Sequence, residues 1–194
     1  MSNQGLILLI VLAAITIYLV WDTYFMGALE YVKSTVDGRE YQVQSLPDKQ
    51  DAADLLAKIR EKMIRLVDHL RKSDPEDERV KQILERFNPN NISEGADNSK
   101  YTSYSINKGE RIVFCLRSRD AKNQLMDENT MIFVALHEIS HVGTKSTGHT
   151  EEFWDNFRWI LEESIQIGIY KQQDFRKEPV KYCGTNITSS PLDH

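Results

Sequence analysis

Hydrophobic positions along this chain fall into three patterns: one unbroken apolar run, stripes recurring at three- and four-residue steps, and short alternations. The unbroken run is GLILLIVLAAITIYLVW at residues 5–21, where only Thr16 and Tyr18 bring notable polarity. A membrane-spanning helix needs roughly 17 to 25 apolar residues, and Tyr18, Trp21 and Tyr24 read as interfacial anchors, so the run predicts one transmembrane helix. A cleaved signal peptide fits less well: MSNQ carries no positive charge, the run exceeds a usual signal core, and no small-x-small cleavage site follows. Residues 22–39 read as a linker or stalk and Glu40 to Gln44 as a short strand. From Asp51 to Lys72, Ala52, Leu55, Leu56, Ile59, Met63, Leu66, Val67 and Leu70 form one helical stripe. His69 lies off it, with Lys62, Arg65 and Lys72, as a solvated side chain. Ser73-Asp74-Pro75 stops this helix and starts another, with Pro75 in its first turn and Val80, Ile83, Leu84 and Phe87 turned inward. Phe87-Asn88-Pro89-Asn90-Asn91 ends this helix, and the polar stretch that follows, to Lys100, reads as a mobile surface loop.

Tyr101–Ile106 and Arg111–Arg117 predict a hairpin turning at Asn107-Lys108-Gly109-Glu110. Along the second strand Ile112, Phe114 and Leu116 alternate with Val113, Cys115 and Arg117. Met131 to Leu136 is apolar all round and predicts a buried helix running on to His141. Thr150 is a good N-cap with Glu151 and Glu152 in the first turn, and Phe153, Phe157, Ile160, Leu161 and Ser164 share one face of the helix it opens. The Phe153–Trp154 pair is assigned to the core. Pro179 to Gly184 reads as a short strand and turn near the sheet or cleft, with Tyr182 counted as a packed residue outside the site. These elements predict an α+β fold in three parts: residues 1–30 as membrane anchor, 31–48 as linker and first strand, and 49–194 as the folded domain.

Composition narrows the partners. A formal net charge of −5, with no basic stripe, argues against a nucleic-acid surface, which needs clustered Lys and Arg. Lys33 and Arg39 follow the apolar run and nothing basic precedes it, so the positive-inside rule predicts a single-pass protein with its C-terminal domain in the cytosol. The sequons Asn91-Ile92-Ser93 and Asn186-Ile187-Thr188 would suit the opposite side. Cys115 and Cys183 are too few for a disulfide framework, and they can pair only if their Cα atoms come within about 7 Å.

The chemistry concentrates in His137-Glu138-Ile139-Ser140-His141, an H-E-x-x-H at the end of the buried helix. A helix brings residues i and i+4 onto one face, so His137 and His141 can reach the same cation, and Glu138 beside them can take a proton from water. A buried helix does not carry such residues without partners. His149 follows after a seven-residue linker holding Gly143 and Gly148, where the chain can reverse. Three protein ligands with a fourth position open make a catalytic zinc site, whereas structural zinc is usually closed by four ligands rich in cysteine.

The string HEISH followed by GHTEEFW at residues 148–154 resembles the WLM and SprT-like zinc metallopeptidases, over roughly residues 100–170. That resemblance implies a zincin-like domain with a small sheet and an active-site helix, Zn2+ held by His137, His141 and His149, and Glu138 as general base. It implies peptide-bond hydrolysis on a protein or peptide substrate. The strand before the active-site helix, residues 112–117, would lie beside the cleft and accept substrate along its edge. The metzincin spacing H-E-x-x-H-x-x-G-x-x-H is not met. The family is also linked to proteolysis of proteins crosslinked to DNA, against which the net charge speaks. Glu162 or Glu163 could complete a gluzincin-type site instead of His149, but Gln166 stands where an aspartate usually supports such a glutamate. The alternative function is a membrane-anchored scaffold or interaction protein that keeps a zinc site without cutting peptides.

Overall fold

The long apolar stripe becomes α2 (Lys49–Ser73), which buries Ala52, Leu55, Leu56, Ile59, Met63, Leu66 and Leu70. It packs against α4 (Glu128–Gly143), the most deeply buried helix, in which Met131 to Leu136 are all inside. α3 (Glu78–Arg86) lies against both. Pro75 falls in the turn before α3, and Asp77 caps the helix instead, its side chain accepting from the Arg79 N–H. α5 (Glu151–Gln166) completes the helical layer and packs on α4 through Phe153, Phe157, Ile160 and Leu161. The computed structural model describes residues 3–25, 29–96, 101–120 and 122–193, apart from the side chains of residues 3 and 21–25.

Against these helices lies a three-stranded sheet in the order β3–β5–β4. β4 (Tyr104–Ile106) and β5 (Arg111–Phe114) form the expected hairpin, pairing Tyr104 with Val113 and Ile106 with Arg111. β3 (Ile92–Glu94) runs parallel to β5 and is wholly buried. The stretch read as a mobile surface loop therefore contains a core strand, while residues 97–100 of it lie outside the described residues. Burial is possible because the polar side chains are answered. Glu94, fully buried, accepts from Arg117 Nε at 2.8 Å and from the Gln44 N–H at 2.7 Å. Arg117, itself 2% exposed, reaches Asp48 with Nη1 at 2.7 Å. Buried charges persist only when paired in this way. The segment read as a stalk likewise holds a strand, β1 (Leu29–Lys33), paired antiparallel with β2 (Glu40–Gln44).

The tail forms a second small hairpin, β6 (Val180–Tyr182) with β7 (Thr185–Ile187), turning at Cys183 and Gly184, both at positive φ. Cys183 is bonded to Cys115 just past β5, with Cα atoms 6.1 Å apart. The pairing left open by the sequence is made, and it ties the tail to the sheet.

The transmembrane expectation is corrected. α1 (Asn3–Phe25) is helical, but among the described residues no helix is long and apolar enough to cross a membrane. At about 1.5 Å per residue, the uncharged run reaches only about 25 Å, short of the ~30 Å hydrocarbon core. The membrane partner, the single-pass localisation and the cytosolic orientation that rested on this run fall with it. Trp21 and Tyr24, expected as anchors, lie outside the described side chains.

Candidate active site

The site begins as helix geometry. Asp127 caps α4 by accepting from the Thr130 N–H, and one turn after another of apolar contacts then carries His137, Glu138 and His141 to the C-terminal end. Beyond Gly143 the chain leaves the helix and returns to α5 at Thr150, whose side chain caps Phe153 N–H as expected. The intervening loop is held from two sides. Lys108 donates through Nζ to the carbonyls of Thr144, Lys145 and Ser146, at 2.8, 2.6 and 3.2 Å. A cation is favourable at a helix C-terminus, where carbonyls are left without partners. Glu152 accepts from the N–H groups of Lys145 and Ser146 and from Ser146 Oγ.

Lys108 can act there because the β4–β5 turn is left-handed, with Asn107 at φ 48° and Lys108 at φ 53°. Gly109 follows at φ 111°, where a Cβ would stand 2.9 Å from a Val142 methyl, so only glycine lets the turn lie against α4.

This loop geometry brings His149 to the motif. Nε2 of His141 lies 3.2 Å from that of His137 and 3.3 Å from that of His149, and the third pair is 3.1 Å apart. Three ring nitrogens cannot all satisfy one another as donors at such separations, whereas a cation at their centre satisfies all three through lone pairs. A tetrahedral ion with Zn–N distances near 2.0–2.1 Å separates its ligand nitrogens by about 3.3–3.4 Å, so the cluster fits such an ion with little adjustment. Two of the three, His137 and His141, are also held in the required protonation state. Burial first, and repulsion from His141 and His149 second, lower His137 to a pKa of about 3. Burial first, then His149, lowers His141 to about 4. Neutral imidazoles are the metal-binding form. Among the described residues, this is where three histidines could hold a metal ion.

The rings are fixed by aromatic contacts. Phe153 stacks on His141 at 4.2 Å between centroids and lies edge-on to His137 at 4.9 Å and His149 at 4.8 Å. Trp154 stacks on the outer face of His149 at 5.5 Å. The Phe-Trp pair therefore divides: Phe153 is core, whereas Trp154 is 45% exposed and helps line a cavity of about 390 Å³ that shares Phe133 and His137 with the main cleft. Glu138 is 3% exposed, and burial pushes its carboxyl up to about 8.

The main cleft is a cavity of about 550 Å³. His137, Glu138, His141 and His149 line it from the helical side, and Ser103, Tyr104, Ser105, Lys108 and Tyr182 from the other. Two expectations change here. β5, assigned to the cleft edge, is the central strand, and β4 is the edge strand that faces the site. Tyr182, left outside the site, lines it. The signal that could have found it is Cys183, adjacent to Tyr182: pairing with Cys115 would force the tail against the end of β5. Of the alternative ligands, Glu162 is exposed and Glu163 accepts from His69 Nε2 at 2.6 Å, so neither joins the cluster. His69 is accordingly partly buried and partnered, not simply solvated.

A helix that ends in H-E-x-x-H beside a small sheet, with a third histidine returning to it, defines a metallopeptidase-like domain. The model of the WLM domain matches residues 36–192, and the chain belongs to that family, a family of metalloproteases. An uncharacterized protein, R325, of Acanthamoeba polyphaga mimivirus is 37% identical over 189 residues, covering 95% of this chain and 94% of that protein. Uncharacterized protein 136R of Invertebrate iridescent virus 6 is 37% identical over 83 residues, 42% of this chain and 44% of its own length. Among solved structures, the crystal structure of Wss1 from Saccharomyces cerevisiae matches with a TM-score of 0.48 at 21% identity, over 64% of this chain and 85% of that chain.

Proposed function

We propose that this protein is a zinc-dependent endopeptidase in which His137, His141 and His149 bind the metal through Nε2 and Glu138 is the general base. The observation that carries this reading is the convergence of three imidazole nitrogens, 3.1 to 3.3 Å apart, in the same cavity as a buried carboxyl group. Zinc bound there supplies Lewis-acid polarisation of a carbonyl and of water. A divalent cation held there would favour the ionised form of the Glu138 carboxyl, since opposite charge lowers a carboxylate pKa. Glu138 then accepts the proton of the attacking water and passes it to the leaving amine. Burial suits it to the second step, because a carboxyl in a dry site holds its proton near neutrality.

The substrate is an extended segment of protein. β4 is paired on one side only among the described strands, and Tyr104 and Ser105 line the cleft, so a peptide can add to this edge through main-chain hydrogen bonds. The test is metal analysis of the purified protein, followed by cleavage of an unstructured protein with and without a chelator. One zinc per chain and chelator-sensitive cleavage are expected; zinc without cleavage would make the protein a metal-binding scaffold.

A further inference from the structure

The wall facing the histidines carries a pair of hydroxyl groups. Ser103 Oγ and Tyr182 Oη lie 2.5 Å apart, both on the cleft. Ser103 Oγ already accepts from the Cys115 N–H at 3.1 Å. Two hydroxyls bring two protons to one mutual contact, so one O–H is left over, and no protein acceptor for it is found among the described residues. Either oxygen can be the donor in this contact; with Ser103, whose Oγ is polarised by accepting from the backbone, donating to the phenol oxygen, the phenolic O–H is free to point on into the cleft. Tyr182 is 4% exposed, and burial first, with the nearby charge of Glu138 also contributing, pushes its pKa upward. The phenol therefore keeps its proton at any working pH.

Its position is over-determined. The β6–β7 turn puts the Cys115–Cys183 bond next in sequence to Tyr182, and Cys115 also supplies the N–H that orients Ser103. A tyrosine buried only for packing needs no such arrangement on a cleft wall opposite a general base.

We propose that Tyr182 donates a hydrogen bond to the substrate carbonyl oxygen as negative charge develops on it, and that Ser103 is the positioning residue that orients the phenol. This rests on the peptidase reading above and adds a residue to it. In the zinc-loaded full chain, Tyr182→Phe should lower kcat by about 10²-fold, as loss of one oxyanion donor does, with KM, zinc content and Tm little changed. A kcat within about twofold of the parent overturns the proposal. A second measurement does not need turnover: the affinity of a phosphinic pseudopeptide, whose tetrahedral P–O⁻ group stands in for the oxyanion. Tyr182→Phe should weaken it by roughly 10- to 100-fold while leaving the matching unmodified peptide unaffected. If the parent protein cleaves nothing yet shows that loss of affinity, the peptidase reading fails and the donor stands; equal affinities in parent and variant sink the donor whatever the activity. Ser103→Ala should cost less than Tyr182→Phe and add nothing to it in the double variant. Independent, multiplying losses would remove Ser103 from its positioning role.

Discussion

The two walls of the cleft are built in opposite ways. The helical wall comes from one continuous stretch, α4, its loop and α5, and its candidate site residues lie within twelve positions of one another, from His137 to His149. The facing wall is assembled from the β4 region and the tail, 79 residues apart at the Ser103–Tyr182 contact, and is closed by a disulfide. The first wall is positioned by local rules of helix spacing, capping and a short turn. The second exists only when distant segments meet. The three converging imidazoles lie on the local wall, and residues that shape and complete the cleft on the assembled one.

The sharpest test of the local wall is Glu138→Gln. On the proposed mechanism, in which the side chain is a base and not a ligand, activity should fall about 10²- to 10⁴-fold while bound zinc is unchanged. Turnover equal to the parent would mean that the proton goes elsewhere.

The assembled wall depends on the buried charges beneath it. Arg117→Ala leaves Glu94 buried and unpaired, at a cost of about 3 to 5 kcal/mol by chemical denaturation. A cost below about 1 kcal/mol would show that the strands hold together without this pair.

His149 lies on the loop that Lys108 pins from the opposite wall. His149→Ala should weaken zinc binding by about 10²-fold or more, since even outer-shell changes cost 10- to 100-fold. Glu162→Gln, at an exposed position, should leave affinity unchanged. The reverse pattern in a metal titration would transfer the ligand to the glutamate.

The smallest expected effect separates the walls most cleanly. Replacing Cys115 and Cys183 together by alanine should lower stability by about 2 to 4 kcal/mol, for a bond closing a separation of 68 residues. It should also reduce kcat while sparing zinc affinity, because the tail carries Tyr182 and no ligand. Equal loss of metal would show that the local wall leans on the tail.

These contrasts match what could be read in advance. The amphipathic stripe of α2, the buried run of α4, the Thr150 cap and the 104–114 hairpin are all visible in residue order, since each follows from a period or a cap within a few positions. The helix N-cap at Asp127 and β3 were missed. β3 reads as a polar loop because Ser93 and Glu94 are satisfied by Arg111 and Arg117, from residues 18 and 23 positions away. The apolar run of α1 misled in the other sense: a local pattern was given a membrane partner that the helix is too short in apolar length to reach.

By itself the sequence determined the chemical residues His137, Glu138, His141 and His149 as a candidate set, because a helical repeat and a glycine-bearing linker make their neighbourhood a matter of spacing. Tertiary structure decided which strand faces the cleft, that Cys115 meets Cys183, that Trp154 lines the smaller neighbouring cavity while Phe153 is core, and that Tyr182 and Ser103 are hydrogen-bonded on the cleft wall. The physical reason is range. Helix periodicity and capping act over three or four residues and leave a mark in the order of amino acids, whereas the pairing of distant segments is fixed by the packing of the whole core, and no short pattern encodes it.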